Sequence, residues 1–158
     1  MRQHCHVSAT DYFLPRAADE ADLTAWAPIL PASARVLRTN LFGDAFVVGD
    51  GGAVHMLERA GCSADPIASS EEEFWRKVRD DPAGWQLRPL ADECRRSGLV
   101  LGEGQCYAYT SLPVLGGEYK VENIWVAHWA EWFSFTADIF QQIKDLPDGA
   151  KVQLKIVD

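Results

Sequence analysis

The clearest periodic pattern in the chain lies within residues 128–146. Seven residues recur there at spacings of three and four: Trp129, Trp132, Phe133, Thr136, Ile139, Phe140 and Ile143. This spacing places them on one face of an amphipathic helix. The pattern therefore predicts a helix whose tryptophan face packs on the core, with Glu131 pointing away from that face.

Short apolar runs predict strands elsewhere. Residues 45–48 and 53–57 flank the tetrapeptide GDGG, whose Gly and Asp residues tolerate the positive φ of a tight turn. This arrangement predicts a β-hairpin. Residues 105–110 and 121–126 are predicted to form two more strands, and a final strand is predicted from the alternation of Val152, Leu154 and Ile156.

Helix-end signals predict three further helices. Ser70 and Glu73 have the spacing of a capping box, and the acidic residues at 71–73 favour the positive end of a helix dipole. That helix is predicted to run to about residue 79. A second helix is predicted over residues 87–97, before Gly98, and a short one over residues 22–30, where Pro28 and Pro31 stop it.

The order of these elements indicates the fold class. Hairpin, helices, strands, a long helix and a last strand follow one another without a regular strand–helix alternation. We predict an α+β fold with a mainly antiparallel or mixed β-sheet and packed helices. Residues 21–158 are expected to form a single domain, preceded by a loosely ordered N-terminal segment over residues 1–20.

Composition and charge restrict the classes of partner that this chain is suited to bind. The 158-residue chain is 47% hydrophobic and 24% charged, which is ordinary for a globular domain, and its net charge is -8. Binding to a nucleic-acid backbone depends on Lys and Arg that neutralise phosphates, so an acidic chain is poorly suited to it. A basic protein partner suits it better, because complementary fields speed association.

The sequence also indicates a compartment. Its start, MRQHCHVSAT, has no apolar run, and no segment approaches the length of a membrane-spanning helix. The four cysteines are scattered without a C-x-x-C pair. We therefore expect reduced thiols in a cytoplasm, and no membrane association.

Common catalytic and nucleotide-binding motifs are absent from the sequence. It contains no G-x-G-x-x-G, Walker loop, G-x-S-x-G or H-E-x-x-H pattern. The His4-Cys5-His6 cluster lacks a second pair at a zinc-like spacing. We predict no metal site, no cofactor and no catalytic residues.

Four residues could still carry chemistry. His128 and Glu131 lie three apart and could form an acid–base pair, although exposed helix neighbours of this kind are mostly solvated. His55 is interpreted as a half-buried structural histidine. Cys106, within a predicted strand, is interpreted as a small buried hydrophobe.

An apolar loop separates the two central strands. It reads YTSLPVLGGEYKVENI over residues 109–124 and carries Leu112, Val114 and Leu115 around Pro113. Exposed apolar runs invite aggregation, so we expect these three side chains to pack on the core. Glu118, Tyr119 and Glu122, just past the glycines, are expected on the outer face.

The same region carries a family resemblance. Its pattern consists of Gly104, Tyr107, Pro113, Leu115-Gly116-Gly117, Glu118-Tyr119, Asn123 and a Leu146-Pro147-Asp148-Gly149 turn. This run, GQCYAYTSLPVLGGEYKVENI through the helix to DLPDGAKVQLKI, resembles the C-terminal domain of type VI secretion immunity proteins that neutralise DNase toxins. The segment LFGDAFVVGDGGAVHMLE is similar to the central part of those proteins, so the resemblance covers about residues 36–158. One departure is Tyr107-Ala108, where the family commonly has Tyr-Gly.

The resemblance implies a function. It implies a non-enzymatic, bacterial cytoplasmic immunity protein, with residues 21–158 as the immunity-type domain. Its partner would be a cognate effector toxin, a DNase with a basic surface, bound without direct contact to nucleic acid. Glu118, Tyr119, Glu122 and Glu131 are the predicted partner-binding residues. Two alternatives stay open: a small metal-dependent hydrolase using His55, His128 and nearby carboxylates, and a regulatory or scaffold domain sharing the fold.

Overall fold

The N-terminal half of the chain forms a four-stranded antiparallel sheet. The computed structural model describes residues 12–146. The strands are β1 (Arg35–Thr39), β2 (Ala45–Val48), β3 (Val54–Glu58) and β4 (Ser63–Ala68). They pair in chain order, β1-β2-β3-β4, each antiparallel to the next. Sequential pairing of this kind needs only short connections between the strands.

Helices and a second, two-stranded sheet follow. The helices are α1 (Glu71–Asp80), α2 (Pro82–Trp85), α3 (Arg88–Arg96) and α4 (Trp129–Ile143). Strands β5 (Gln105–Tyr109) and β6 (Ile124–His128) form an antiparallel ribbon. Short 3-10 helices lie at Arg16–Glu20, Thr24–Ile29, Pro113–Leu115 and Val121–Asn123. The predicted α+β class, with antiparallel strands and packed helices in one domain, is confirmed.

Both faces of the four-stranded sheet are covered. Phe46 and Val48 pack on one side with Phe74 and Val78 of α1. Alternate residues of the same strand, Ala45 and Val47, pack on the other side with residues of the 3-10 helix Thr24–Ile29 and of α4, among them Trp26 and Phe140. Burial on both faces explains why all four residues of β2 are buried.

Helix α4 joins the two sheets. Its Phe140 belongs to the cluster under the four-stranded sheet, whereas Trp132 and Phe133 belong to a larger cluster with Tyr107 and Ile124 of the ribbon. The ribbon and the start of α4 therefore share a core, and the loop between β5 and β6 lies beside them.

The strongest local patterns are confirmed. Residues 45–48 and 54–57 form the predicted hairpin, with Ala45 opposite Leu57 and Val48 opposite Val54. At the start of α1, Ser70 Oγ accepts a hydrogen bond from the Glu73 amide (3.1 Å). The Glu73 carboxylate reaches back one residue further than a capping box requires, to the Ser69 amide (3.2 Å).

Two strands have no strong signal in the sequence. β1 reads RVLRT, in which two adjacent apolar residues lie between two arginines without regular alternation, and β4 contains Asp65 and Pro66. Both are edge strands of the sheet, where a proline and polar side chains are tolerated because one side of the strand makes no ladder bonds.

The N-terminal segment is packed where the structure describes it. Tyr12, Phe13 and Leu14 are buried, and residues 16–20 form a 3-10 helix, although a loosely ordered segment was predicted there. Arg38 holds this segment against the sheet: it donates a hydrogen bond to the Leu14 carbonyl (2.6 Å) and forms an ion pair with Asp19 (3.3 Å). Burial of the apolar side chains of residues 12–14 contributes more to the stability of this segment than solvation of the polar residues around them.

Some predictions fall on residues outside the described range. The His4-Cys5-His6 cluster, the turn residues Pro147, Asp148 and Gly149, and the last predicted strand are among them. Across residues 12–146, no helix combines the length and the hydropathy that a membrane crossing requires.

Candidate functional site

The loop between β5 and β6 (residues 110–123, the β5–β6 loop) is held by one side chain. Asn123 Nδ2 donates to the carbonyls of Ser111 (2.9 Å) and Glu118 (2.8 Å). Its Oδ1 accepts from the Ser111 amide (2.8 Å). One amide side chain therefore joins the two ends and the middle of the loop, which fixes where Glu118 and Tyr119 are presented.

The Gly-Gly pair has a steric explanation. Gly116 has φ of +94°, in the left-handed region that other residues rarely adopt. At Gly117, a Cβ atom would lie 1.8 Å from the Ser111 carbonyl oxygen. The backbone of the loop therefore approaches itself more closely than any side chain would permit.

The apolar residues of the loop divide between core and surface. Leu112 is 3% exposed and Val114 is half-buried against the core, as predicted. Leu115 is 39% exposed, so the prediction of a core position was wrong for it. Residues 113–115 form a single 3-10 turn, in which successive side chains point about 120° apart, so the turn cannot hold all of them against the core.

All four predicted partner-binding residues are exposed, but they do not form one patch. Glu118, Tyr119 and Glu122 lie on the β5–β6 loop, and Glu131 lies in the first turn of α4. Glu118 pairs with Lys120 at 3.2 Å, with both side chains largely in solvent, where such a pair contributes little. Tyr119 borders one surface concavity and Glu131 borders another.

The first concavity, here called the acidic cleft, has a volume of about 480 Å³. Three carboxylates line it, and apolar side chains form much of the remaining wall. The lining residues are Asp44, Met56, Glu58, Asp81, Gly84, Trp85, Leu87 and Tyr119. The cleft thus combines negative charge with flat and aliphatic surfaces.

Asp44 is the most perturbed carboxylate of the cleft. Burial, with a contribution from the neighbouring Glu58, raises its pKa to about 7 against the opposing effects of Asn40 and Arg59. The Asn40 amide donates to Asp44 Oδ2 at 3.1 Å, and Asn40 Oδ1 accepts from the Asp44 amide at 3.0 Å. The turn between β1 and β2 therefore fixes this acid in place.

A buried cation lies behind the same turn. Arg59 is fully buried, donates from Nε to the Gly43 carbonyl (2.9 Å), and stacks its guanidinium 3.9 Å from the centre of the Phe133 ring. Burial lowers the pKa of Arg59 to about 10. Neither Asp44 nor Arg59 was predicted from the sequence to be a functional residue. The sequence feature that could have indicated them was a charged residue close to each apolar run of the hairpin.

The second concavity, here called the aromatic cavity, has a volume of about 340 Å³. Trp132 forms its floor, with Trp125 edge-on to it (6.4 Å between centroids) and Phe135 stacked on it (5.7 Å). Trp125 is 46% exposed and Phe135 is 42% exposed, whereas Trp132 is buried. Tyr109, Thr110, Ala127 and Glu131 complete the lining.

The aromatic face of α4 was predicted to be core, and the structure confirms this for Trp132. Trp129 is half-buried against the same core, and Glu131 is exposed as predicted. The helical periodicity did not indicate a role for Phe135. This residue lies outside the buried face of α4 and remains accessible beside Trp125.

The two concavities adjoin. Tyr109 borders the aromatic cavity, and its ring packs edge-on against Tyr119 of the acidic cleft with centroids 5.6 Å apart. Residues of β5, β6, α4 and the β5–β6 loop therefore bring aromatic and acidic surfaces next to each other.

The residues considered for catalysis are dispersed. His55 lies in β3 opposite Val47, and His128 is the exposed last residue of β6. Among residues 12–146, no group of three His, Cys, Asp or Glu side chains is arranged to hold a metal ion. Burial raises the pKa of the Cys106 thiol to about 12, which opposes formation of a nucleophilic thiolate.

Comparison with known proteins gives a family match for part of the chain. Residues 68–140 match the family described as "T6SS immunity protein Tdi1, C-terminal". The matched segment is slightly less than half of the chain, and it contains the β5–β6 loop and the aromatic cavity. A search of curated proteins found no match. Residues 68–140 are therefore similar to the C-terminal part of type VI secretion immunity proteins of the Tdi1 family.

Proposed function

We propose that this protein is a non-enzymatic immunity protein that binds and neutralises a cognate type VI effector nuclease in the cytoplasm of the producing bacterium. The match of residues 68–140 to an immunity-protein family supports the binding of an effector toxin. The observation that carries the proposal is the aromatic cavity, where Trp125 and Phe135 are exposed on ordered elements of the family domain.

The aromatic cavity has the properties of an interface centre. Tryptophan and other large aromatic residues dominate binding energy where they fill or form pockets that exclude water. Trp125 is held in a strand and Phe135 in a helix, so little backbone freedom is lost on binding. Both rings also pack on the buried Trp132, which fixes their orientation.

Charge provides the second argument. A nuclease needs a basic groove for its substrate, and this chain carries a net charge of -8. Glu131 borders the aromatic cavity, while Glu118 and Glu122 are exposed on the β5–β6 loop. Carboxylates around an apolar centre match the usual anatomy of a protein interface and would steer a basic partner toward it.

The proposal is tested by titration against the nuclease domain of a candidate type VI effector, sought first among the genes adjacent to this one. We expect Trp125→Ala and Phe135→Ala each to weaken binding at least about tenfold, which corresponds to 1.4 kcal/mol. Val100→Ala is the matched control, because Val100 is an exposed apolar residue that lines neither concavity.

Protection of cells that express the effector should follow the same order. Parent protein and Val100→Ala should protect, and the two aromatic variants should protect less. Unchanged affinity for both aromatic variants would exclude the aromatic cavity as the interface. Failure of the parent protein to bind or to protect would exclude this effector as the cognate toxin.

A further inference from the structure

The carboxyl groups that line the acidic cleft come from distant parts of the chain. Asp44 follows the turn after β1, Glu58 ends β3, and Asp81 separates α1 from α2. Trp85, Met56 and Tyr119 provide aromatic and aliphatic walls between them. The fold therefore places carboxyl groups on several sides of one space.

None of these carboxyl groups forms an ion pair in the described part of the chain, although the buried Arg59 acts on Asp44 from a longer distance and opposes the rise in its pKa. Among residues 12–146, no Lys or Arg nitrogen lies within 4.0 Å of any of the three. Each carboxylate accepts one hydrogen bond, from the Asn40 amide group, the Ser63 hydroxyl and the Gly84 backbone amide respectively. A carboxylate has about four acceptor positions, so most of their capacity is unused within this range.

A buried hydroxyl next to the cleft is also unsatisfied. Tyr109 is 3% exposed, and its hydroxyl has no hydrogen-bond partner among the described residues. Tyr109 borders the aromatic cavity, and its ring meets the acidic cleft through Tyr119, with centroids 5.6 Å apart. Burial raises the pKa of Tyr109, and Asp44, Tyr119 and Glu58 act in the same direction.

We propose that the acidic cleft receives the guanidinium group of one arginine from the effector, an inference that rests on the proposed function. Arginine carries five donors in a planar fork, which suits acceptors on several sides. Its flat face stacks on aromatic rings, and Trp85 and Tyr119 supply them.

A first experiment tests the cleft without the effector. The protein is titrated by NMR with N-acetyl-arginine amide, its uncharged citrulline isostere and N-acetyl-lysine amide. We expect arginine to shift the amide signals of Glu58 and Tyr119 and the Trp85 indole signal, and the isostere to leave them in place. No shift with arginine, or equal shifts with citrulline, would overturn the proposal. Larger shifts with lysine would overturn the assignment to a guanidinium.

A second experiment uses the effector nuclease domain. We expect the Glu58→Gln and Asp81→Asn double variant to bind it at least tenfold more weakly than the parent. Both substitutions keep the acceptors for Ser63 and Gly84, so folding should be preserved. The control is Glu93→Gln with Glu103→Gln, which changes net charge equally at exposed positions outside the cleft.

The two experiments separate the two proposals. If the parent binds the effector and the cleft variant binds as well as the control, the arginine site is wrong and the proposed function stands. If the parent does not bind the effector, that effector is excluded as the cognate toxin, and the titration with free arginine then decides whether the cleft recognises a guanidinium.

Discussion

Leu112 and Leu115 lie at the two ends of one short turn, yet their environments differ. Leu112 is buried in the core shared by the ribbon and α4, and Leu115 is partly in solvent. We expect Leu112→Ala to lower the free energy of unfolding by roughly 2–5 kcal/mol, because truncation of a buried leucine leaves a cavity. Leu115→Ala should cost less than about 1 kcal/mol, since much of its surface is already hydrated.

Chemical denaturation of the two variants checks this difference. Each is the control for the other, because the substitution is the same and the positions are three residues apart. Equal losses of stability in the two variants would show that Leu115 is also core, as the sequence alone suggested.

Asp44 makes stability depend on pH. Its pKa is raised from 3.8 to about 7 in the folded protein, mainly by burial. The folded state therefore retains a proton that the unfolded state has lost between these two values. The associated stability is fully present below pH 3.8 and is lost as pH rises toward 7, by on the order of 4 kcal/mol.

Asp44→Asn removes this dependence and keeps an acceptor for the Asn40 amide. We expect the variant to gain stability relative to the parent as pH rises from 4 to 8. Other titrating groups are common to both proteins, so the difference between their denaturation curves isolates Asp44. Parallel pH profiles would show that the carboxyl group is ionised in the fold at acidic pH.

At the scale of elements, the β5–β6 loop depends on close backbone approach. Gly117→Ala would place a methyl group against the Ser111 carbonyl, so the loop must move. We expect a loss of roughly 1–3 kcal/mol, the usual cost of overpacking, and faster hydrogen exchange at the Ser111 amide, which donates to Asn123.

The hairpin turn between β2 and β3 supplies the control. At Gly51, an added Cβ has open space around it, and φ is not positive. Gly51→Ala should leave the free energy of unfolding within about 0.5 kcal/mol of the parent. If Gly117→Ala matches it, the loop is able to relax, and its shape is not set by the contact with Ser111.

At the scale of the whole molecule, net charge should control the rate of encounter with a basic effector. We expect the association rate to fall as ionic strength rises, because at physiological salt the field reaches only about 8 Å. The double variant Glu118→Lys with Glu122→Lys should associate more slowly than the parent at the same ionic strength. Its melting temperature should be unchanged, since both side chains are exposed.

The same charge change placed elsewhere separates local from global effects. Glu93→Lys with Glu103→Lys alters net charge equally at exposed positions outside the β5–β6 loop. Stopped-flow kinetics of both variants at several salt concentrations provide the comparison. A rate that does not vary with salt, or equal slowing by both variants, would argue against capture through the loop.

Local patterns in the sequence were sufficient for several elements. The GDGG turn and its flanking apolar runs specify the hairpin, Ser70 and Glu73 specify the start of α1, and the three-and-four spacing specifies α4. Each depends on residues a few positions apart, so the physical cause lies within the segment itself. The acidity of the chain is likewise a property of composition.

Tertiary packing decided which side chains meet. Asp44, Glu58 and Asp81 are far apart in the sequence, and only the pairing of β1 to β3 and the position of α1 bring them to one cleft. Phe135 and Trp125 share a cavity only because α4 packs on the ribbon. Periodicity reports which face of an element is apolar, whereas the neighbours of that face depend on long-range contacts, and those contacts determined the candidate site.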